Sequence, residues 1–279
     1  IDNLKLDNNV FVNRLQGDGF AYNGGATSNF VKNSRWNWAN TLNYANTFGD
    51  HTVGAFIGAE DQYTKSYGYG ATRQNVIDPF IEVYQGSFGT ITPANLVQFD
   101  NAFRSFFGSV NYDYKKKYYL TGSFRRDGYS GLSAGNKYGN FGGASAGWAL
   151  SEENFYKESG ISKILTRVKI RGSYGEVGNI NIGNYPALYL YSPGLYGSDA
   201  ALSFNQAGNP NLTWETSKKA DVGVNLEFLG GRFSLDVDYY HNNIDNLVQN
   251  APQAPSKGIP GNTITTNVGR MYNKGFEFA

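Results

Sequence analysis

Residues 221–240 read DVGVNLEFLGGRFSLDVDYY, and this stretch decides the fold class. Side chains of a β-strand point alternately to opposite faces, so the apolar residues of 221–228 share one face and the polar residues share the other. The apolar face carries Val222, Val224, Leu226 and Phe228. Residues 229–232 turn the chain, and the same alternation resumes over 233–240. The stretch therefore predicts two antiparallel strands with one apolar and one polar face.

The connections between such segments are alternately short and long along the chain. Short connections are predicted at 47–50, 115–117, 151–165 and 229–232. Long connections are predicted at 64–103, 126–136, 178–212 and 244–262. In an up-and-down barrel every second connection lies on the same side, and outer-membrane barrels have short periplasmic turns and longer outside loops. A soluble sandwich has no reason to sort its loops in this way.

About ten strands are predicted within residues 1–279, which form part of one transmembrane β-barrel domain. The fold class is all-β, with antiparallel up-and-down connections. Predicted strand bounds include 3–16, 34–46, 51–63, 106–114, 137–150 and 263–279. The connection over 151–166 contains one predicted helical turn, for which Ser151 is the expected N-cap residue.

The composition suits such a barrel. Of the 279 residues, 16% are aromatic and 35 are Gly, with one Met and no Cys. Tyr112, Tyr114 and Tyr118 gather around one short turn, which is typical of the aromatic girdles at a membrane interface. No apolar run reaches the ~18 residues of a membrane-spanning helix, but barrel strands escape that criterion because half of their side chains are polar. A net charge of +1 gives no reason to expect a nucleic-acid partner.

Candidate residues for catalysis or metal binding do not form a convincing site. His51 and His241 are far apart in the sequence, have no Cys near them and show no ligand spacing. Asp236 and Asp238 share a face and could imitate a glycosidase carboxylate pair, but carboxylates that face a watery lumen need no catalytic role. The sequence predicts no catalytic residue, no metal site and no cofactor.

Binding is predicted in the long outside connections, where tyrosine rings can stack on sugar faces or peptide side chains and their hydroxyls can form hydrogen bonds. Plain structural packing is the alternative role for any one of them. The candidate residues are Tyr67, Tyr69, Tyr129, Tyr185, Tyr189, Tyr191 and Tyr196. By strand parity, four cations are expected to face the lumen of the barrel. These are Arg125, Arg167, Lys169 and Arg171.

Several short motifs resemble, in order and spacing, the barrel of SusC/RagA-type TonB-dependent outer-membrane transporters. They are YYLTGSFRRDG at 118–128, SAGW at 145–148, SEENF at 151–155, RGSYG at 171–175, GN at 178–179, IGNY at 182–185, NPNLTWET at 209–216, DYY at 238–240 and NKGFEF at 273–278. The likeness extends upstream through NTLNY at 40–44, FG at 48–49 and GAE at 58–60. It covers most of the chain.

The resemblance implies a roughly 22-stranded barrel closed by an N-terminal plug. It also implies energy supply by the TonB complex through a box near the N terminus, and a SusD-like surface lipoprotein as a lid outside. The plug, the TonB box and the last strand are expected to lie outside this sequence, which would then be an internal piece of the barrel. The family imports oligosaccharides or peptides across the outer membrane of Gram-negative bacteria, without catalysis.

Two function classes follow from these observations. The first is TonB-dependent import of an oligosaccharide or peptide by a multi-pass barrel embedded in outer-membrane lipids. The second is a soluble or surface β-sheet protein that binds glycans without transport. The sorted connections and the ordered motifs favour the first class.

Overall fold

A computed structural model describes residues 2–12, 17–77 and 88–279 of the chain. These residues divide into two compact units. Unit 1 consists of the described residues within 1–38 and 62–102, and unit 2 of residues 39–61 and 103–279. Within the described ranges, no helix is long and apolar enough to cross a membrane.

The described part of the chain consists mainly of antiparallel strands. In chain order these are β1 (Asp2–Val12), β2 (Gly25–Phe48), β3 (His51–Val76), β4 (Phe88–Tyr114), β5 (Tyr118–Tyr129), β6 (Tyr138–Ala149), β7 (Leu165–Asn179), β8 (Leu190–Tyr196), β9 (Asp199–Gln206), β10 (Glu215–Phe228), β11 (Phe233–Asp245), β12 (Val248–Pro252), β13 (Thr263–Asn267) and β14 (Arg270–Phe278). A ten-stranded sheet has the order β1-β2-β3-β4-β5-β6-β7-β10-β11-β14, while β8 pairs with β9 and β12 with β13 as separate hairpins.

The pairing of β7, β10 and β11 in unit 2 confirms the predicted alternation. Val224 lies opposite Ile170 on one side and Val237 on the other. Its neighbour Asn225 lies opposite Lys169 and Asp236. Because side chains in register share a face, apolar residues of successive strands gather on one face and polar residues gather on the other. We call these the apolar face and the polar face.

The apolar face of unit 2 is solvent-exposed in the isolated chain. Several large side chains on it keep more than half of their surface exposed, among them Leu42 (69%), Ile57 (63%), Val222 (58%) and Phe276 (67%). A soluble protein does not leave a contiguous apolar surface of this extent uncovered. The surface is the one that a transmembrane β-barrel presents to lipid, with an apolar band outside and polar residues inside.

The predicted long loop over 64–103 is wrong in its extent. β3 continues to Val76 and β4 begins at Phe88, while residues 78–87 lie outside the described residues. β2 also begins earlier than the predicted strand over 34–46. These three strands have 24, 26 and 27 residues. About 9–11 residues suffice to cross a membrane, so part of each strand lies outside the hydrocarbon.

Polar contacts join the paired strands of unit 1. They explain why the apolar alternation in the sequence ended before the strands themselves do. The Ser66 hydroxyl donates to Asn33 Oδ1 at 2.5 Å, and the Tyr63 hydroxyl donates to Asp100 Oδ2 at 3.1 Å. Outside the hydrocarbon a strand can be polar on both faces. Apolar alternation therefore ends at the membrane boundary, whereas backbone pairing continues beyond it.

The other predicted long connections are shorter or more structured than expected. β5 reaches Tyr129 and β6 begins at Tyr138, which shortens the connection predicted at 126–136. The connection at 178–212 contains the β8–β9 hairpin, and that at 244–262 contains β12. The predicted strand 263–279 is divided, because Gly269 has a positive φ of +87° between β13 and β14.

Two further predictions need correction at their ends. The first strand, predicted over 3–16, ends at Val12, and residues 13–16 lie outside the described residues. A four-residue helix, α1 (Asn154–Lys157), does follow β6, but its N-cap residue is Glu153 and no side chain caps it. Ser151 instead lies buried in a 3-10 turn one step earlier.

Candidate functional site

A small buried core lies among the connections that follow β5, β7 and β11. Its members are Tyr129, Leu132, Phe141, Leu212 and Trp214. Phe141 meets Trp214 edge-on at 5.6 Å, and the Trp214 indole donates to the Lys137 carbonyl at 3.1 Å. Leu212 has no exposed surface. These connections therefore pack against one another instead of extending separately into solvent.

The segment 209–215, which we call the clasp, ties this core together by hydrogen bonds. Asn209 Nδ2 donates to the Thr265 carbonyl at 3.0 Å. The Pro210 carbonyl accepts a hydrogen bond of 2.5 Å from the Ser133 hydroxyl. One end of the clasp is thus joined both to the connection after β5 and to β13.

The other end of the clasp is joined to β7, β12 and β13. The Thr213 amide donates to Asn267 Oδ1 at 2.8 Å. Glu215 Oε1 accepts from Asn179 Nδ2 at 3.0 Å, and Glu215 Oε2 accepts from the Val248 amide at 3.2 Å. The clasp falls within the family motif NPNLTWET, so this part of the motif has a structural role: it holds the connections in place.

The β8–β9 hairpin begins close to the clasp and exposes one apolar face. Register places Tyr191 opposite Phe204, Pro193 opposite Leu202 and Leu195 opposite Ala200. Leu195 is 74% exposed and Leu202 is 72% exposed. The Gln206 side chain anchors the base by donating to the carbonyls of Tyr185 and Leu188, at 3.0 and 3.1 Å. An isolated two-stranded hairpin is marginal in water, so this apolar face suits contact with a further molecule.

The seven candidate tyrosines fall into different settings. Tyr67 and Tyr69 lie on β3 in unit 1, not in a loop, and their rings are 6.0 and 5.1 Å from that of Phe30. Tyr129 is 4% exposed, stacks on Phe103 and donates its hydroxyl to the Gly183 carbonyl. It is a core residue whose ring is not accessible at the surface.

The remaining four tyrosines lie in or beside the β8–β9 hairpin. Tyr185 is half-buried and has a positive φ of 56°. Tyr189 and Tyr191 are each 61% exposed, and Tyr196 near the hairpin turn is 85% exposed. The structure therefore leaves three rings accessible, Tyr189 just before β8, Tyr191 near its start and Tyr196 at its end.

Arg171 is the centre of a charged network on the polar face. Its guanidinium donates to Asp238 Oδ2 at 2.6 Å, to Asp221 Oδ1 at 3.1 Å and to Asn225 Oδ1 at 3.3 Å. Gly223 lies in register between Arg171 and Asp238, and a Cβ at that position would collide with the Asp238 carboxylate. The glycine thus permits the two charges to meet.

The other three predicted cations also lie on the polar face of unit 2. Arg167 pairs with Glu227 at 3.0 Å, and Lys169 lies 4.6 Å from the centre of the Tyr119 ring. Arg125 donates to Asp127 at 2.6 Å. β7 therefore places three of the four cations in one row, and β5 holds the fourth elsewhere.

Glu153 joins the short connection after β6 to the turn between β4 and β5. It accepts hydrogen bonds from the Tyr118 hydroxyl at 2.6 Å, the Lys117 ammonium at 2.9 Å and the Trp148 indole at 3.2 Å. These bonds, from Tyr118 first and then from Lys117 and Trp148, lower the pKa of Glu153 to about 2. The family motif SEENF thus supplies an electrostatic anchor at this end of the strands.

An apolar groove of about 990 Å³ crosses β2 to β6 in unit 2 beside Leu42, Ile57, Gly108 and Gly122. The predicted tyrosines are not among its lining residues. No group of three or more His, Asp or Glu is arranged to hold a metal ion within the described ranges.

Comparison with known proteins decides the family. Residues 2–279 match the family described as TonB dependent receptor-like, beta-barrel. The chain belongs to this family. The chain is thus a segment of an outer-membrane β-barrel of Gram-negative type, as its two-faced sheet and its SusC/RagA-like motifs predict.

Curated relatives agree with this assignment. TonB-dependent receptor P39 of Formosa agariphila is 34% identical over 245 residues, which cover 85% of this chain and 23% of the relative. TonB-dependent receptor SusC of Bacteroides thetaiotaomicron is 33% identical over 187 residues, which cover 64% of this chain and 18% of SusC. This chain spans about a quarter of the length of the curated relatives it matches.

A solved structure gives the same fold. The RagAB peptide importer in its closed-closed state matches with a TM-score of 0.82 and 26% identity, over 91% of this chain and 28% of the RagAB chain.

The clasp contacts, the buried core and the Glu153 anchor were not predicted from the sequence of the chain. Their only signal in the sequence is that they fall within or beside the family motifs. The motifs NPNLTWET and SEENF mark positions where the chain must bond to a distant segment, as Asn209 and Glu153 do.

Proposed function

We propose that this chain forms part of a transporter that imports an oligosaccharide or a peptide across the outer membrane in a TonB-dependent manner. The observation that carries the proposal is the β8–β9 hairpin with the residue before it, which together expose three tyrosines and an apolar face while the clasp and its core fix the chain beside them. Family membership and the likeness to SusC and to the RagAB peptide importer support the transport class.

The hairpin and its flanks are the proposed contact surface for the substrate or for a SusD-like lipoprotein partner. Tyr189, Tyr191 and Tyr196 supply aromatic faces and hydroxyls, the combination that suits both sugar rings and peptide side chains. The partner and the TonB complex are proposed from the family resemblance. The likeness to the RagAB peptide importer favours a peptide as the first substrate class to test.

The polar face is proposed to line the lumen. Arg125, Arg167, Lys169 and Arg171 are each held by carboxylate or aromatic neighbours on that face. Such charges stay hydrated in a lumen but would be costly against lipid. The long connections after β5, β7 and β11 are correspondingly proposed to lie outside the cell, and the short turns on the periplasmic side.

The test removes the hairpin from the full-length protein and leaves the clasp intact. Residues 190–206 are replaced by a short Gly/Ser connection, and both surface assembly and TonB-dependent growth on peptide mixtures or oligosaccharide mixtures are measured. We expect normal assembly with loss of growth on one of the two nutrient classes, because Leu212 and the clasp bonds remain.

A matched pair of variants separates ring contact from hairpin folding. Replacing Tyr189, Tyr191 and Tyr196 together by Ala should impair uptake, and replacing the same three by Phe should restore it where stacking is the main contact. Unchanged uptake by both the Ala variant and the hairpin deletion would contradict the proposal.

The alternative of a soluble glycan-binding protein does not account for the exposed apolar face of unit 2. Partition of the full-length protein into the membrane fraction, with no release by high salt, distinguishes the two classes.

A further inference from the structure

On β4 and β5 the apolar face carries charges only near one end of each strand. Along β4, the side chains of this face are uncharged from Tyr114 to Phe106, and Arg104 is the first charge. Along β5, they are uncharged from Tyr118 to Phe124, and Arg126 is the first charge. The uncharged stretches approach the ~9–11 residues that cross a membrane. These charges therefore lie at the edge of the lipid-facing band, at the end opposite the short turns.

Arg104 and Arg126 form a pair of cations on neighbouring strands. Phe106 lies opposite Arg126, and Arg104 lies opposite Gly128, so the two arginines are diagonal neighbours on one face. Side chains in this relation lie within roughly 7–8 Å of each other. One guanidinium in such a pair can reach the same small anion as the other.

One carboxylate partly neutralises this pair. Arg104 Nε donates to Asp61 Oδ1 at 2.6 Å, and the Arg104 side chain remains 59% exposed. Arg126 is exposed and has no carboxylate partner among the described residues. Asp61 offsets the charge of Arg104 alone, which leaves a net positive charge at the edge of the lipid-facing band.

Tyr138 holds Arg126 in position. The guanidinium lies 4.9 Å from the centre of the Tyr138 ring. That ring occupies the space over Gly128, where a side chain would collide with it. A stacked guanidinium keeps its edge donors free to bind an anion, so the site is partly preorganised.

The surface on the membrane side of the two arginines is apolar. Phe106 is 50% exposed and Phe124 is 55% exposed. A ligand that bound here would meet two guanidinium groups at one end and exposed phenyl rings at the other. Guanidinium forks match phosphate oxygens bidentately, and phenyl rings match acyl chains.

We propose that Arg104, Arg126 and Tyr138 form a binding site for a membrane lipid whose headgroup carries a phosphate monoester. The phosphate binds between the guanidinium groups, and the acyl chains lie along Phe106 and Phe124. Charge complementarity and continuity with the lipid-facing surface select this occupant over a soluble protein partner. Asp61 competes with the phosphate for Arg104.

The test uses full-length protein in phosphatidylcholine nanodiscs that contain a small fraction of phosphatidic acid, whose headgroup is a bare phosphomonoester. Retention of phosphatidic acid is measured by native mass spectrometry. The double variant Arg104→Gln with Arg126→Gln should weaken binding about tenfold to a hundredfold, since it removes charge-assisted hydrogen bonds. The single variant Arg126→Gln should weaken binding to a lesser extent.

Two further variants make the test specific. Lys116→Gln removes one positive charge from the turn at the other end of the same hairpin, and it should leave binding unchanged. Asp61→Asn should tighten binding, because it removes the competing carboxylate from Arg104. A purely structural role for the Arg104–Asp61 pair does not predict tighter binding.

The last measurement is a competition in which inorganic phosphate is added to the buffer. At the concentration of the lipid it should not displace phosphatidic acid, because it lacks the acyl chains. Displacement by free phosphate, equal binding by the double variant and the unaltered protein, a loss in Lys116→Gln as large as in the double variant, or weaker binding by Asp61→Asn would each overturn the proposal.

Discussion

The role of a single residue in this chain depends on the neighbours that strand pairing places beside it, and Gly223 is the smallest example. Its lack of a side chain lets the Arg171 guanidinium reach both Asp221 and Asp238. Truncating one member of such a network leaves its partner without the neighbour that offset its charge. The charged network on the polar face therefore depends on Gly223 as well as on the charged residues.

Glu153 forms a pH-dependent anchor between the connection after β6 and the turn between β4 and β5. Its folded-state pKa of about 2 lies below the usual value of 4.5. A carboxyl group whose pKa falls on folding stabilises the folded state above its unfolded pKa, and this contribution is lost as the pH falls from about 4.5 toward 2. We expect Glu153→Gln to remove that part of the acid dependence of the free energy of unfolding.

The free energy of unfolding, measured by urea unfolding in detergent micelles at a series of pH values, checks this expectation. Glu152→Gln is the matched control, because the one ion pair of Glu152 among the described residues is with the exposed Lys157, at 2.6 Å. Its acid dependence should follow that of the unaltered protein. An identical slope for Glu153→Gln and the unaltered protein between pH 4.5 and 2 would show that the three hydrogen bonds do not act as described.

At the scale of elements, the connections after β5, β7 and β11 behave as one packed body. The clasp bonds to residues far away in the chain, as in the Ser133–Pro210 and Asn209–Thr265 hydrogen bonds. Leu212, Trp214 and Phe141 supply the apolar core. Long loops are usually functional or disordered, and here the order comes from this core.

Leu212 is the side chain on which that packing most depends. It is fully buried, so Leu212→Ala should cost about 2–5 kcal/mol in the free energy of unfolding. Leu202→Ala, on the exposed hairpin, should change it by only about 0.5 kcal/mol or less. Limited proteolysis of the full-length protein within 180–212 is the measurement.

Fast cleavage in Leu212→Ala and slow cleavage in Leu202→Ala are expected. Equal cleavage of the two variants would mean that the hairpin is held by something other than the clasp and its core.

At the scale of the molecule, the two faces of the sheet set its place in the membrane. The apolar face exposes rings and aliphatic side chains such as Val222 and Phe276, while the polar face holds ion pairs such as Arg171–Asp238 and Arg167–Glu227. This is the reverse of a water-soluble sheet. It matches a barrel wall between lipid and a hydrated lumen.

Adjacent substitutions on β10 test this orientation. Val224→Arg should block barrel assembly, since a cation on the lipid side near the midplane costs roughly 2–4 kcal/mol. Asn225→Arg should be tolerated, because its side chain lies on the polar face opposite Asp236. The folding yield of both variants into lipid vesicles is the measurement, and equal yields would rule out the assignment of the faces.

The sequence by itself determined the two-faced strands, the short turns and the family. Alternation over 221–240 predicted that the apolar residues of both strands share one face, and the observed pairing places Val224 opposite Ile170 and Val237 on that face. This succeeds because lipid on one side and water on the other impose a period of two on every spanning strand. The four predicted cations also fall on the polar face for this reason.

Only the tertiary structure decided where the strands end and what the connections do. Beyond the membrane both faces meet water, so nothing in the residue pattern marked the continuation of β3 to Val76 or the start of β4 at Phe88. Tyr129 could not be distinguished from the exposed tyrosines until Phe103 and Leu132 were seen packed with it. Contacts such as these join residues that are distant in the chain, and local periodicity carries no information about them.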